Sequence, residues 1–257
     1  MTRTLPRTKF HSSNLIRCLA SLDMVDAADA GTAFAEKLGQ WIHFADAITL
    51  SGVHNGSVAS SPKTQSTVRH EEHLAAHAAA TEFDRIQANL VDSIMKSCSP
   101  VPGRTHNKLP EPQLELPMNF AAAYTPYRRF YEAHQRDMEL RIQPLRFNVR
   151  SAVAKASPRL KKLAELDATL EKILQEREAH LLAKVPGLLR KRFEQLFKEH
   201  QQKLADVQQI DNPAAWAQAG GWLARFCNDM QMLLLAEVEL RLQPAMGLIE
   251  AFKQDTQ

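Results

Sequence analysis

The sequence predicts an all-α fold: an antiparallel bundle of long, partly kinked helices with a smaller helical N-terminal region. Three observations carry that expectation. The first is composition, since only nine of 257 residues are glycine and aromatic residues make up 7%. Ala, Leu, Glu, Gln, Lys and Arg, which lose little freedom in a helix, are abundant instead. The second is spacing, with apolar residues returning every three or four positions over most of the chain. The third is the hexapeptide Glu139-Leu-Arg-Ile-Gln-Pro144, which returns one hundred positions later as Glu239-Leu-Arg-Leu-Gln-Pro244. That match hints at an internal repeat. Pro144 and Pro244 each remove one backbone hydrogen bond and press on the carbonyl four residues back. Either two kinked helices face one another across a pseudo-twofold axis, or both hexapeptides are helix ends.

Taken in order, residues 14–24 read as a short helix that Ser12 or Ser13 can cap. A second helix is expected from Thr32 to Leu50, with Phe34, Leu38, Trp41, Ala45 and Ile48 on one face. Gly52–Ser66 is rich in Gly, Ser, Asn and Thr and reads as a loop. A third helix, about 68–97, presents Leu74, Ala78, Phe83, Ile86, Leu90 and Ile94. Pro100, Pro102, Pro110, Pro112 and Pro117 then crowd together, which places a proline-rich linker at 98–118 between an N-terminal region, 1–97, and a C-terminal bundle, 119–257.

Within the bundle, a helix from Pro126 to Ala154 carries Tyr127, Phe130, Tyr131, Met138, Leu140, Ile142 and Leu145. Ser157-Pro158 supplies a cap and a first-turn proline for the next. Leu163, Leu166, Leu170 and Ile173 form a short seam continued by Arg177 and His180, and Pro186-Gly187 breaks or bends the helix. Leu189, Phe193, Leu196, His200, Leu204 and Val207 carry a face onward. Asn212-Pro213 starts the last helix, bent at Gly220-Gly221 and ending near Phe252.

The bulk numbers exclude several classes. A net charge of +3 does not by itself argue for nucleic acid. Cys18, Cys98 and Cys227 are too far apart for a metal motif or disulfide framework, which fits a reducing cytoplasm. No stretch is long and apolar enough to span a bilayer, so any membrane association is expected to be indirect. No Gly-x-Ser-x-Gly elbow, phosphate-binding glycine loop or Cys/His pairing is present, and a non-enzymatic protein without a cofactor is expected. Carboxylates two apart, such as Glu165/Asp167, read as surface charge.

Two clusters remain as candidates. His70, His73 and His77 share one helix face, where with Glu71 or Glu72 they could hold zinc or nickel, as in a metal-dependent enzyme. A plain polar face is the competing reading, because the zincin spacing is missing. The stretch 128–162 is the most basic, with Arg128, Arg129, Arg136, Arg141, Arg146, Arg150, Lys155, Arg159, Lys161 and Lys162. With Tyr124, Tyr127, Phe130 and Tyr131 at its head, it suggests a partner-binding or nucleic-acid-binding face, through Arg128, Arg129, Arg136, Arg146, Arg150, Lys161 and Lys162 above all. The aromatic residues also fall at core spacing. Arg190-Lys191-Arg192 reads as a solvated face.

The run Tyr127-Arg-Arg-Phe-Tyr-Glu-Ala-His-Gln-Arg-Asp-Met138 resembles a proteobacterial family of uncharacterised helical proteins. So do Arg141, Pro144-Leu-Arg146, Ala156-Ser-Pro-Arg-Leu160, Leu163-Ala-Glu-Leu-Asp167, Glu176-Arg-Glu178, Val185-Pro186, Arg192-Phe-Glu194, and Glu239–Pro244 with Gly247-Leu-Ile-Glu250. The likeness covers 120–252 well and the first hundred residues loosely. Members of that family resemble accessory proteins encoded beside a MotA/TolQ-like membrane protein and an OmpA-like protein, in gene sets similar to type III Zorya anti-phage defence systems. The resemblance implies a cytoplasmic accessory protein of a defence complex. Its expected partners are the MotA-like/OmpA-like motor or a neighbouring accessory protein, and the resemblance supplies no catalytic residue.

Overall fold

Ser13, Asn119 and Ser157 each turn a side-chain oxygen onto backbone N–H groups of the next turn, and each starts a helix. The computed structural model describes residues 13–25, 41–55, 66–99, 107–112 and 118–256, without the side chains of His54 and residues 66–71. Among them are α1 (Asn14–Ser21), α2 (Phe44–Asn55), α3 (Ser66–Ser97), α4 (Phe120–Ala156), α5 (Pro158–Leu182), α6 (Val185–Asp206) and α7 (Trp222–Asp255). A 3₁₀ turn, Pro213–Ala215, precedes the last helix, and no strand occurs among the described residues. The fold is an all-α bundle.

The contacts fix its directions. Arg146 and Arg150 of α4 meet Asp167 and Glu171 of α5, and Gln135 reaches the Leu182 carbonyl, so these helices are antiparallel. Beyond a two-residue break at Ala183–Lys184, α6 keeps the direction of α5, with Tyr124 donating to the Pro186 carbonyl. Arg192 meets Asp229 and Phe197 meets Trp222, which makes α7 antiparallel to α6. Met95 lies against Gln231 and His77 against Phe252, so α3 also runs antiparallel to α7. In consequence α4 and α7 run parallel, Tyr127 touching Phe226 and Tyr131 touching Glu237. These two helices pack against most of the others and hold most of the core.

Both hexapeptides therefore lie inside parallel, neighbouring helices and neither is a helix end, since α4 continues to Ala156 and α7 to Asp255. That is the relation a twofold axis along the bundle would generate. The repeat extends beyond the matching letters. Phe130, His134, Met138, Ile142, Leu145 and Val149 are buried, and so are Met230, Leu234, Val238, Leu242, Ala245 and Ile249, each one hundred residues later.

Several expectations need correction. The chain is non-helical at Ile42–His43, and α2 runs through Gly52 to Asn55, where a loop is predicted. Phe44 and Ile48 on it are exposed. The rest of the 32–50 helix and of the 52–66 loop lies outside the described residues. In α3 the predicted face holds at Phe83, Leu90 and Ile94, which are buried, but Leu74 and Ala78 are exposed and Ala76 is buried in their place. At about 100° per residue Ala76 lies in line with Phe83, and Leu74 on the opposite side. Pro126 sits inside α4, whose start is set by Asn119. Leu140 is exposed and not part of the core. The seam of α5 is only half covered, its buried residues being Leu160, Ala164 and Leu182. Asn212-Pro213 opens the 3₁₀ turn and not the last helix.

That last difference has a local cause. Gly220 takes a positive φ of 86°, and a β-carbon on Gly221 would run into the carbonyl oxygens of Ala215 and Trp216. The two glycines let the chain fold Trp216 back into an aromatic cluster with Phe197 and Trp222. The proline-rich stretch, where described at 107–112 and 118–119, is non-helical, and Leu109 and Met118 rest on the core. It separates α3 from α4 along the chain but not in space, because residues of α1 and α3 share one core with α4–α7.

Candidate functional site

The basic stretch 128–162 divides once its side chains are followed. Arg146 and Arg150 point between helices: Arg146 lies 3.0 Å from Asp167 and 3.3 Å from Glu171, and Arg150 lies 2.6 Å from Asp167 and also pairs with Glu171. All four side chains are a quarter exposed or less, a cross-helix cluster clamping α4 to α5. This corrects two expectations. Arg146 and Arg150 do not line a free basic face, and Asp167 is an internal ion-pair partner and not surface charge. Likewise Arg192 is buried against Asp229 at 2.8 Å, so the Arg190-Lys191-Arg192 cluster is not wholly solvated.

The aromatic head of the stretch is core. Tyr124, Tyr127, Phe130 and Tyr131 are all buried, the first two against Phe193 and Phe226. No base could stack on them without opening the bundle. Arg128 and Arg141 pair with Glu132 and Asp137 one turn away on α4. Arg129 and Arg136 reach solvent with no ion pair among the described residues, as do Lys161 and, half-buried, Lys162.

Arg129, Arg136, Leu140 and Phe147 follow one another at spacings of seven, four and seven. At 3.6 residues per turn this places all four within roughly 40° of helix circumference. Leu140 is 75% exposed and Phe147 64% exposed. The line runs about 27 Å along α4, from the rise of 1.5 Å per residue. Beside its start a surface cavity of about 310 Å³ is lined by Tyr124, Thr125, Arg128, Pro186, Gly187 and Arg190. Both its arginines are already paired, with Glu132 and Glu194.

The hexapeptides enclose a second feature, which is internal. Glu237 is fully buried and accepts from the Tyr131 hydroxyl at 2.8 Å, from Gln135 at 3.1 Å, and from Arg241 Nε at 2.9 Å. Burial, and next the charge of Glu237, holds the Tyr131 hydroxyl well above the usual tyrosine pKa. Nearby His134 is buried and bonded to Ser97 Oγ at 3.0 Å, and burial pushes its pKa down to about 4. These groups fasten α4 to α7 and α3. The acids of the last helix, Asp229, Glu237, Glu239 and Glu250, are expected from the sequence to neutralise part of the 128–162 stretch inside the fold; Glu237 and Asp229 are buried, but their arginine partners are Arg241 and Arg192. The available signal for Glu237 was its place four residues before Arg241, mirrored by Asp137 before Arg141, which is also paired, at 2.8 Å.

Of the repeat residues, Glu139 is exposed and Glu239 accepts from Asn14 of α1 at 2.6 Å. Pro144 is exposed and Pro244 half-buried. His73 meets Phe252 at a tilt and His77 meets it edge-on, and the side chain of His70 lies outside the described residues. Among the described residues no group of three His, Cys, Asp or Glu side chains is gathered as a metal would require. Cys98 and Cys227 are free, their thiols pushed up by burial to about 11 and about 12, which makes them poor nucleophiles. Among the described residues no helix is long and apolar enough to cross a membrane.

Comparison with curated proteins and with solved structures returns no match. The central helices, both hexapeptides and the proline-rich stretch all fall within residues 1–254, the span matched by the family model described as "Protein of unknown function (DUF3348)", and the chain belongs to that family.

Proposed function

We propose that this chain is a non-enzymatic accessory protein that acts by holding another protein on the outer face of α4. The observation behind this reading is the line Arg129–Arg136–Leu140–Phe147. Two large apolar side chains face water beside unpaired arginines, on the helix that packs against α3, α5, α6 and α7. An apolar patch flanked by arginine is what protein interfaces favour, and a rigid helix is a good platform for one. The likeness to type III Zorya gene sets supplies the setting: a cytoplasmic component of an anti-phage defence complex, acting with a MotA-like/OmpA-like motor or a neighbouring accessory protein.

A nucleic-acid-binding role through Arg128, Arg129, Arg136, Lys161 and Lys162 is the second reading, and these side chains do reach solvent to different degrees. It loses Arg146 and Arg150 to the α4–α5 cluster and its stacking residues to the core. The test is affinity purification of the tagged protein from its native host, with and without nuclease, followed by mass spectrometry. A protein partner that survives both nuclease and moderate salt upholds the reading. Nucleic acid in the eluate, with partners lost on nuclease treatment and binding falling steeply with salt, refutes it.

A further inference from the structure

The two hexapeptides have the same sequence save one methyl-branch change, yet Leu240 is half-buried where Leu140 is exposed. On α7, helix α1 lies along the repeat: Asn14 donates to Glu239 at 2.6 Å, Leu15 and Leu19 are buried, and Leu240 is half-buried and packed on the core. On α4, Glu139 has no hydrogen bond among the described residues and Leu140 is 75% exposed. Seven residues on, Phe147 is also bare. The chain thus contains a worked example of how this repeat is closed by a short amphipathic helix, and one copy left open.

We infer that the open copy on α4 is the seat of an acidic amphipathic helix from a partner protein, docked as α1 docks on α7. This rests on the reading of α4 as a partner-binding face and adds the chemistry of the occupant. Its apolar residues, spaced three and four apart, cover Leu140 and Phe147. Carboxylates on its edge meet Arg129 and Arg136, which have no ion pair among the described residues. An amide or basic side chain meets Glu139, in the role Asn14 plays for Glu239. The line from Arg129 to Phe147 accommodates about five turns, from 3.6 residues per turn. A second copy of α1 fits less well, because the sequence Asn14-Leu-Ile-Arg-Cys-Leu-Ala-Ser21 carries Arg17 and no carboxylate.

The test uses the full chain in its native host, with a photoreactive benzophenone amino acid at Phe147 and, as control, at exposed Ile210 on the far loop. Cross-linked peptides are sequenced by mass spectrometry. The expected adduct from position 147 is a segment with apolar residues at helical spacing and at least two Asp or Glu. Its yield should fall about tenfold when Arg129→Glu and Arg136→Glu are combined, the far-UV spectrum and melting temperature staying unchanged. A basic segment, a second copy of this chain, or an adduct from position 210 alone overturns the inference and leaves the partner-binding reading intact. No protein adduct from either position, with nucleic acid recovered instead, removes that reading as well.

Discussion

Replacing Glu237 by alanine tests whether the buried carboxylate is what joins the two central helices. The native group is wholly buried and accepts from Tyr131, Gln135 and Arg241, at 2.8, 3.1 and 2.7 Å at the closest. Removing it leaves a hydroxyl orphaned in the core, at about 1–3 kcal/mol. It also strands an arginine, and breaking a buried charge pair from one side costs about 3–5 kcal/mol. Because the Arg241 side chain keeps 17% of its exposure, part of its charge relaxes into water. Taken together, a loss of about 3–5 kcal/mol is expected. At about 2–4 °C per kcal/mol for a chain of this size, the melting temperature should fall by roughly 6–20 °C. The paired control is Glu239→Ala two residues away, which removes one exposed hydrogen bond from Asn14 and should cost under about 1 kcal/mol. Thermal and urea unfolding followed by circular dichroism measure both. Equal, small shifts for the two variants would refute the reasoning, because Glu237 alone combines full burial with three donors.

Three further outcomes follow from the same geometry. His134 is neutral in the native bundle, its pKa lowered from 6.5 to about 4 by burial, while the unfolded chain takes up a proton below about 6.5. The unfolded state therefore binds more protons between those values, and stability should rise from pH 4 to 6.5 and level off above. In His134→Gln, which keeps a partner for Ser97, urea midpoints measured across that range should show a shallower slope. Arg146→Ala with Arg150→Ala should destabilise by about 2–5 kcal/mol through the stranded Asp167 and Glu171, whereas Arg129→Glu with Arg136→Glu should change stability by less than about 1 kcal/mol. If differential scanning calorimetry ranks the two pairs the other way, the division of the basic stretch is mistaken. Gly221→Ala should cost more than about 2 kcal/mol from the clash with Ala215 and Trp216, and Gly220→Ala about 1 kcal/mol from its left-handed backbone, read by tryptophan fluorescence during urea unfolding.

The helices were legible where local chemistry decides. Ser157-Pro158 marked a start because the cap and the fixed proline φ act within one turn, and the break beside Pro186 was marked in the same way. What escaped was set by partners far along the chain. The apolar period gives the right side of α3 at Phe83, Leu90 and Ile94, and fails only in the first turns, where the contact of His73 and His77 with Phe252 of the last helix is set far along the chain. Leu140 is apolar but stands two residues from both Met138 and Ile142, which at about 100° per residue sets it on the opposite side of α4, so residue type and not spacing points it to the core. Pro126 reads as a helix start because proline is common there, but Asn119 caps the helix earlier in the chain. In the basic stretch the charges were legible and their grouping was not. Whether Arg150 is free or clamped depends on Asp167 in the next helix, a pairing that charge counts do not contain.

The parallel placement of α4 and α7 also orders events during synthesis. A ribosome delivers α4 about a hundred residues before the helix that buries its inner face, so Tyr131, Met138, Leu145 and Val149 emerge without their final cover. Helix α1 waits longer still, since the bond from Asn14 to Glu239 closes a loop of 225 residues. Contacts of such separation are entropically slow to form, and exposed apolar helices in the interval invite chaperones or aggregation. The bundle can close only when its last helix arrives, and a chain stopped short of Glu237 would leave its most central polar anchor unmade.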